Sequence, residues 1–326
     1  MRQPRPMSRA PCPAAAAGLS LILIGGRAVP VRAEESLWDQ VKTQVLKTTD
    51  SSPVVSAERA VKDAERKSGR YDPDVADAVE TLAALYEADG RYAEAEHALK
   101  RALEIRERKG GAGSPQAATM RHRLAAIAFS QGRPADAERL LKQALAMRQV
   151  ELGPDHPDVA TALDALVTLY KATGRTEELE PLLKRAVAIR EWHQWTEPLA
   201  YGRVLNVLAA YYVEQHRVPD AIAATEQALA VDESAEDTDS AIVATDLSSL
   251  AALYQTASRL NDAKTMYRRA IEAWDSSLKP DHPEVASTLE EYAQLLRNLG
   301  AVPQAEEAEA RAHTIRAHAM VSPGVR

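Results

Sequence analysis

Cysteine and phenylalanine occur once each in the 326 residues, as Cys12 and Phe129. One thiol near the amino terminus allows no disulfide framework and offers no paired thiolates for metal or redox chemistry. Aromatic residues make up 5% of the chain while hydrophobic residues make up 45%, so alanine, leucine and valine must pack the core. Basic charge is not in excess. The formal net charge of −7 argues against nucleic acid or an anionic membrane as partner. The apolar run from Ala14 to Gly26 is too short for a permanent membrane span, which needs roughly 20 residues, and no later segment is apolar enough. H-E-x-x-H, G-x-S-x-G, phosphate-loop and dinucleotide glycine patterns are all missing. Gly110 to Gly113 form a glycine-rich link without the preceding strand that a phosphate loop requires. No cofactor is expected.

What is present begins with Arg2, Arg5 and Arg9, followed by the apolar run and by Val31-Arg32-Ala33 before Glu34. Basic, apolar and small-residue segments in that order predict a secretory signal peptide over residues 1–33, with delivery to the periplasm or outside the cell. Its removal would take away five arginines and no acid, moving the charge from −7 to −12.

LGPDHPDVATAL (Leu152 to Leu163) returns 126 residues later as LKPDHPEVASTL (Leu278 to Leu289), which exposes a period of 42. At that spacing TLAALYEADGRYAEAE (from Thr81) is followed by five related copies, the last from Glu291, with no insertion between them. One column reads Leu82, Leu124, Leu166, Leu208, Leu250, Tyr292; four residues on, another reads Tyr86, Ala128, Tyr170, Tyr212, Tyr254, Leu296. An i, i+4 apolar pair lies on one helix face. Gly90, Gly132, Gly174, His216, Ser258 and Gly300 stand where this helix must end in the left-handed conformation, which glycine enters freely and the other two residues do not.

A second helix follows with Ala102, Ala144, Ala186, Ala228, Ala270 and Ala312 in one column, which predicts closely approaching backbones. Each repeat is thus a helical hairpin that cannot bury its apolar face alone, so the hairpins must stack. The fold class is all-α, a solenoid of six 42-residue helix-turn-helix repeats over residues 71–319. A degenerate capping hairpin is expected over 34–70, from SLWDQVKTQVLK and VVSAERAVKDAERK, with Ala60 on the alanine column. A polar tail is expected over 320–326.

Leu82-Ala83, Tyr86, Gly90, Tyr92, Ala95 and Ala102 are spaced as in the tetratricopeptide repeat, and PDHPDVATAL at a 42-residue period resembles the kinesin-light-chain subgroup. The resemblance covers about 250 residues, from Tyr71 to about Met320, and implies a right-handed solenoid. No heptad coiled coil precedes the array. Where that subgroup often carries an asparagine pair before the repeat leucine, this chain keeps only Asn206.

The resemblance also implies which first-helix positions face an inner groove: Asp77, Glu80, Ala84, Glu87; Thr119, His122, Ala126, Phe129; Thr161, Asp164, Thr168, Lys171. The later repeats give Arg203, Asn206, Ala210, Val213; Thr245, Ser248, Ala252, Gln255; Ser287, Glu290, Gln294, Arg297. The amino-terminal end of this face reads as acidic, its middle as mixed. Alanines leave room for incoming side chains, Phe129 and Val213 offer apolar anchors, and the polar residues could set register. The expected function is a protein-interaction scaffold or adaptor, not an enzyme, holding a peptide or partner helix of unnamed identity.

Two other readings stand beside this one. His156 and His282, each between Asp and Pro, could serve a metal-dependent enzyme; a self-associating structural subunit is the second. The histidine column reads Asp72, Ser114, Pro198 and Ser240 in the other repeats, and Asp and Ser are helix N-cap residues with proline favoured next. The histidines therefore read as helix starts. WHQW (Trp192 to Trp195) reads as a cap on the turn between repeats rather than a ligand platform.

Overall fold

The structure is a computed structural model and describes residues 52–110, 114–236, 238–277 and 282–321. The expected signal peptide and the first helix of the capping hairpin fall outside these residues. The described helices open with α1 (Pro53–Ser68) and continue with α2 (Pro73–Ala88), α3 (Tyr92–Gly110), α4 (Pro115–Ser130), α5 (Pro134–Leu152) and α6 (Pro157–Ala172). A 3-10 turn (Thr176–Glu178) leads into α7 (Leu179–Trp192). Then come α8 (Pro198–Glu214), α9 (Val218–Ser234), α10 (Ser240–Thr256), α11 (Leu260–Ser277), α12 (Pro283–Asn298) and α13 (Val302–Val321). No strand occurs among the described residues, and α13 extends into the stretch expected as tail.

Helices pack on their neighbours in sequence, pairing α2 with α3, α4 with α5, and so on to α12 with α13. The order makes six antiparallel hairpins preceded by α1. Every first helix ends with the same backbone bond, in which the residue after the turn donates back across it: Arg91 to the Tyr86 carbonyl, Arg217 to Tyr212, Ala301 to Leu296. That bond needs a residue of positive φ just before its donor. Gly90, Gly132, Gly174 and Gly300 supply it at φ between 71° and 74°, and His216 and Ser258 are forced to 56° and 61°.

The alanine column from Ala102 to Ala312 is buried throughout, so the second helices sit against their partners with no room for a larger side chain. Ala60 does not join it. Ala60 is exposed, and α1 buries Val54, Ala57 and Val61 instead, because a helix packed on one side only needs a single stripe.

Adjacent repeats are stapled by a recurring trio. The arginine after the turn lies over the tyrosine that ends the first helix, at 4.1 Å for Arg175 over Tyr170 and 4.0 Å for Arg259 over Tyr254. Tyr170 Oη donates to Glu138 of the preceding hairpin at 2.9 Å, and Arg175 reaches the same carboxylate. Arg217 repeats the contact on Glu180. Arg175, followed by Lys142, holds the Glu138 carboxyl down at about 2.

Candidate functional site

The first helices turn Val79, Ala83, Tyr86 and their counterparts inward to the core, which leaves the opposite stripe to solvent. Along it lie Asp77, Glu80, Glu87, His122, Phe129, Asp164, Lys171, Arg203, Asn206, Val213, Gln255 and Arg297, all exposed or half-exposed. Phe129 and Val213 are the large apolar side chains among them, 38% and 48% exposed.

The second helices contribute a column to this face that the first-helix pattern does not reveal. Counting 26 residues on from Glu80, His122, Asp164, Asn206, Ser248 and Glu290 gives Arg106, Arg148, Arg190, Asp232, Trp274 and Arg316. Arg106 pairs with both Glu80 and Asp77, and Arg123 pairs with Glu87. The end that reads as acidic in sequence is therefore neutralised. Arg190, only 8% exposed, grips Asp164 with both guanidinium nitrogens, one at 3.0 Å. Arg316 grips Glu290 likewise. A planar guanidinium held in this two-toothed way fixes its carboxylate firmly.

Three repeats break the pattern; in the fifth, Ser248 faces Trp274, whose Nε1 donates to Thr288 Oγ1 at 3.1 Å. In the second, His122 stands where the carboxylate should be, so the buried Arg148 donates to the Asp158 carbonyl at 3.1 Å instead. Burial first, and then Arg148, lowers the His122 pKa, and His122 Nδ1 is buried without a partner. In the fourth, the sign inverts. Asp232 replaces arginine and lies within hydrogen-bonding reach of Asp246 from α10. Both are 2% exposed. Asn206 Nδ2 donates to Asp246 Oδ1 at 2.7 Å, while Asp246 Oδ2 and Asp232 Oδ1 have no partner. Burial, and then the hydrogen bond to Asp232, push the Asp246 carboxyl up to about 7; burial also raises Asp232. The two share one proton more comfortably than none.

Between α6 and α8 the same face opens into a cavity of about 470 Å³. Val167, Val204 and Val207 give it apolar walls, the Asp164–Arg190 pair bounds one side, and Arg203 lines it from α8. Arg203 also lines an adjoining cavity of about 360 Å³ toward Glu236. Lys171 is paired with Glu214 and Arg297 with Glu309, whereas among the described residues the exposed Arg203 makes no salt bridge and acts on the buried Asp232 only through space.

Models of the tetratricopeptide repeat match residues 75–116, 116–191, 200–276 and 242–317. The chain belongs to the tetratricopeptide repeat family. No curated protein matches it in sequence. Among solved structures it is similar to a Podosopora anserina kinesin light chain protein with nearly identical TPR-like repeats, at 22% identity and TM-score 0.53, over 65% of this chain and 99% of that one. PilF of Pseudomonas aeruginosa is similar at 18% identity and TM-score 0.51, over 77% and 93% of the two chains. The apo form of RapI is similar at 13% identity and TM-score 0.51, over 86% and 97%. At these identities the likeness is one of fold, and the fold is typically that of a non-enzymatic protein-interaction scaffold.

In this tetratricopeptide array the repeated histidines begin helices. His156 Nδ1 accepts the Asp158 backbone N–H at 3.1 Å, and His282 Nδ1 accepts that of Glu284 at 3.3 Å. Asp72 and Ser114 do the same for α2 and α4. The column slips by one residue afterwards. Glu197 and Asp239, not Pro198 and Ser240, hold the N-cap positions of α8 and α10, because these two helices start one residue earlier; Asp239 accepts the Ala241 N–H at 2.9 Å, while the Glu197 side chain makes no capping bond. Among the described residues no group of three or more His, Cys, Asp or Glu is placed to hold a metal ion.

The turn after α7 also differs from its sequence reading. His193 closes it, with Nε2 hydrogen-bonded to the Asp155 carbonyl at 3.2 Å. Trp192 and Trp195 cap nothing; they are 84% and 86% exposed.

Proposed function

We propose that this tetratricopeptide protein works as an exported scaffold whose first-helix face holds an extended peptide or partner helix from another protein. The observation that carries the reading is the cavity between α6 and α8, apolar along Val167, Val204 and Val207 and bordered by an exposed arginine with no salt bridge. An unpaired guanidinium beside an apolar recess can take a carboxylate and an aliphatic side chain from one partner. Export rests on the order of basic, apolar and small-residue segments within residues 1–33. No described helix is long and apolar enough to cross a membrane.

The test is a pull-down from an envelope extract with residues 34–326, beside a variant carrying Arg203→Glu and Asn206→Ala whose thermal unfolding is checked first. Partners lost by the folded variant support the groove. Partners retained equally by both proteins would sink it. Cell fractionation of the full chain tests export separately, and recovery of the uncut chain in the cytoplasm would contradict it.

A further inference from the structure

The second helices carry a surface that the groove does not use. Val150 at the end of α5 and Trp192 at the end of α7 occupy the same position of successive repeats, 82% and 84% exposed, and Trp195 follows three residues later at 86%. The other large exposed hydrophobics among the described residues are far less open, none above the 48% of Val213. Trp195 forms the rim of a cleft of about 250 Å³, which runs between α7 and α9 and includes Glu191, Tyr201 and Gln227. Exposed indoles beside a recess are the usual centre of a protein-binding surface.

Charge says what would bind there. Glu191 and Glu197 lie within five residues of the tryptophans, and Glu151 and Asp155 within five of Val150, with the Asp155 carbonyl held to the turn by His193; all four are exposed, and among the described residues none makes a salt bridge. The nearest cation on the same helix face, Arg185, is engaged by the Gln149 amide oxygen. An indole face attracts a cation, and unpaired carboxylates around it add to that attraction. A second copy of this chain, with its net charge of −7 and the same four acids, would meet like charge.

We infer that the Val150–Trp192–Trp195 ridge is a second docking surface, taking a lysine- or arginine-rich amphipathic segment of another protein. Apolar side chains of such a segment would cover Val150 and enter the cleft, while its cations would lie over the indoles and against the four carboxylates. The surface is built from the ends of α5 and α7 and the turn after α7; Glu197 borders both it and the groove cavity, whereas Trp192 and Trp195 line no part of that cavity.

The probe is a synthetic lysine–leucine peptide of amphipathic helical pattern, with a glutamate–leucine peptide of the same pattern as control. Labelled peptide is titrated against the full chain, against Trp192→Ser/Trp195→Ser, against Glu151→Gln/Glu191→Gln and against Arg203→Glu. The lysine peptide is expected to bind the unaltered chain, to lose about tenfold or more in affinity with the tryptophan variant, and to lose salt sensitivity with the glutamine variant. Arg203→Glu should leave its affinity unchanged. Equal binding of the glutamate peptide, or undiminished affinity in the tryptophan variant, would overturn the assignment. So would loss on Arg203→Glu alone, which would move the peptide to the groove, or tryptophan-dependent self-association of the free chain in sedimentation. Both tryptophans are exposed, so their replacement should leave the melting temperature in place and a weaker titration cannot be put down to misfolding.

Discussion

Asp246 is a carboxyl with almost no solvent, an acidic neighbour and one unpartnered oxygen. Its folded pKa is raised to about 7, above the roughly 4 of an unfolded aspartate, so the native state binds the extra proton. By linkage that contribution to stability is full below about pH 4 and is lost as pH rises through about 7. Melting temperature should therefore fall between about pH 5 and pH 8 in the unaltered chain, and Asp246→Asn should flatten the fall while matching or exceeding the parent at the alkaline end. Circular dichroism melts across that range check it; an unchanged slope in the variant would remove the carboxyl pair as the cause. Glu138 works in the opposite window. Its carboxyl is depressed to about 2 by Arg175, so its contribution is present above about pH 4.3 and is lost only as the solution becomes strongly acid. His216 and Ser258 supply a third residue-scale test, since both hold a left-handed φ that costs a side-chain-bearing residue about 1 kcal/mol or more. Replacing either by glycine removes that strain but adds freedom to the unfolded chain, so the net gain should be about 0.5 kcal/mol, read as a higher denaturant midpoint at unchanged slope.

Helix by helix, what was legible in sequence was whatever repeats. The glycine, tyrosine and alanine columns each answer a local demand, a reversal, an apolar face and a close backbone approach, and those demands recur every 42 residues. Arg106, Arg148, Arg190 and Arg316 recur at the same period with Asp232 and Trp274 between them, but the meaning of Arg106, Arg190 and Arg316 lies in pairing with a different helix 26 residues back, and a reading confined to single helices passes over it. Trp192 and Trp195 depart from the sequence expectation for a related reason: aromatic residues at a turn ordinarily pack, and nothing in WHQW marks His193 as the residue that makes the contact instead. The cap position moves to Glu197 and Asp239 because each helix starts one residue earlier without any change of helix face, and only Asp239 supplies a capping side chain there. Close packing of these helices is itself testable. Ala186 is fully buried between α7 and its neighbours, so Ala186→Leu should overpack the joint and destabilise by about 1 to 3 kcal/mol, whereas the same change at the exposed Ala84 of α2 should be nearly neutral. Equal effects at the two sites in chemical denaturation would contradict the close approach.

For the whole array, stability is a chain of nearest-neighbour terms, because the extensive helix contacts among the described residues all join elements that are consecutive or separated by the 3-10 turn. The unfavourable features are not spread evenly along that chain. His216 ends α8 and Ser258 ends α10, both in strained backbone, and between them lie α9 and the Asp232–Asp246 contact that joins repeats four and five. Three local penalties thus fall on one joint, while the Asp164–Arg190 and Glu138–Arg175 pairs hold repeats two and three on the amino-terminal side. A one-dimensional array with one weak joint should open there first, as a sub-global event below the energy of full unfolding. Hydrogen exchange followed by mass spectrometry is then expected to show α9 and α10 less protected than α6 and α7, and the difference should widen as pH rises from about 6 to 8, after correction for the intrinsic exchange rate. A variant combining Asp246→Asn, His216→Gly and Ser258→Gly should bring the two regions level. Asn206 and Arg203 sit on α8 at this joint, so opening there would also carry the central groove residues with it. If α9 and α10 exchange no faster than α6 and α7 in the parent chain, the joint is not the weak point, and the groove is as firm in its middle as at its amino-terminal end.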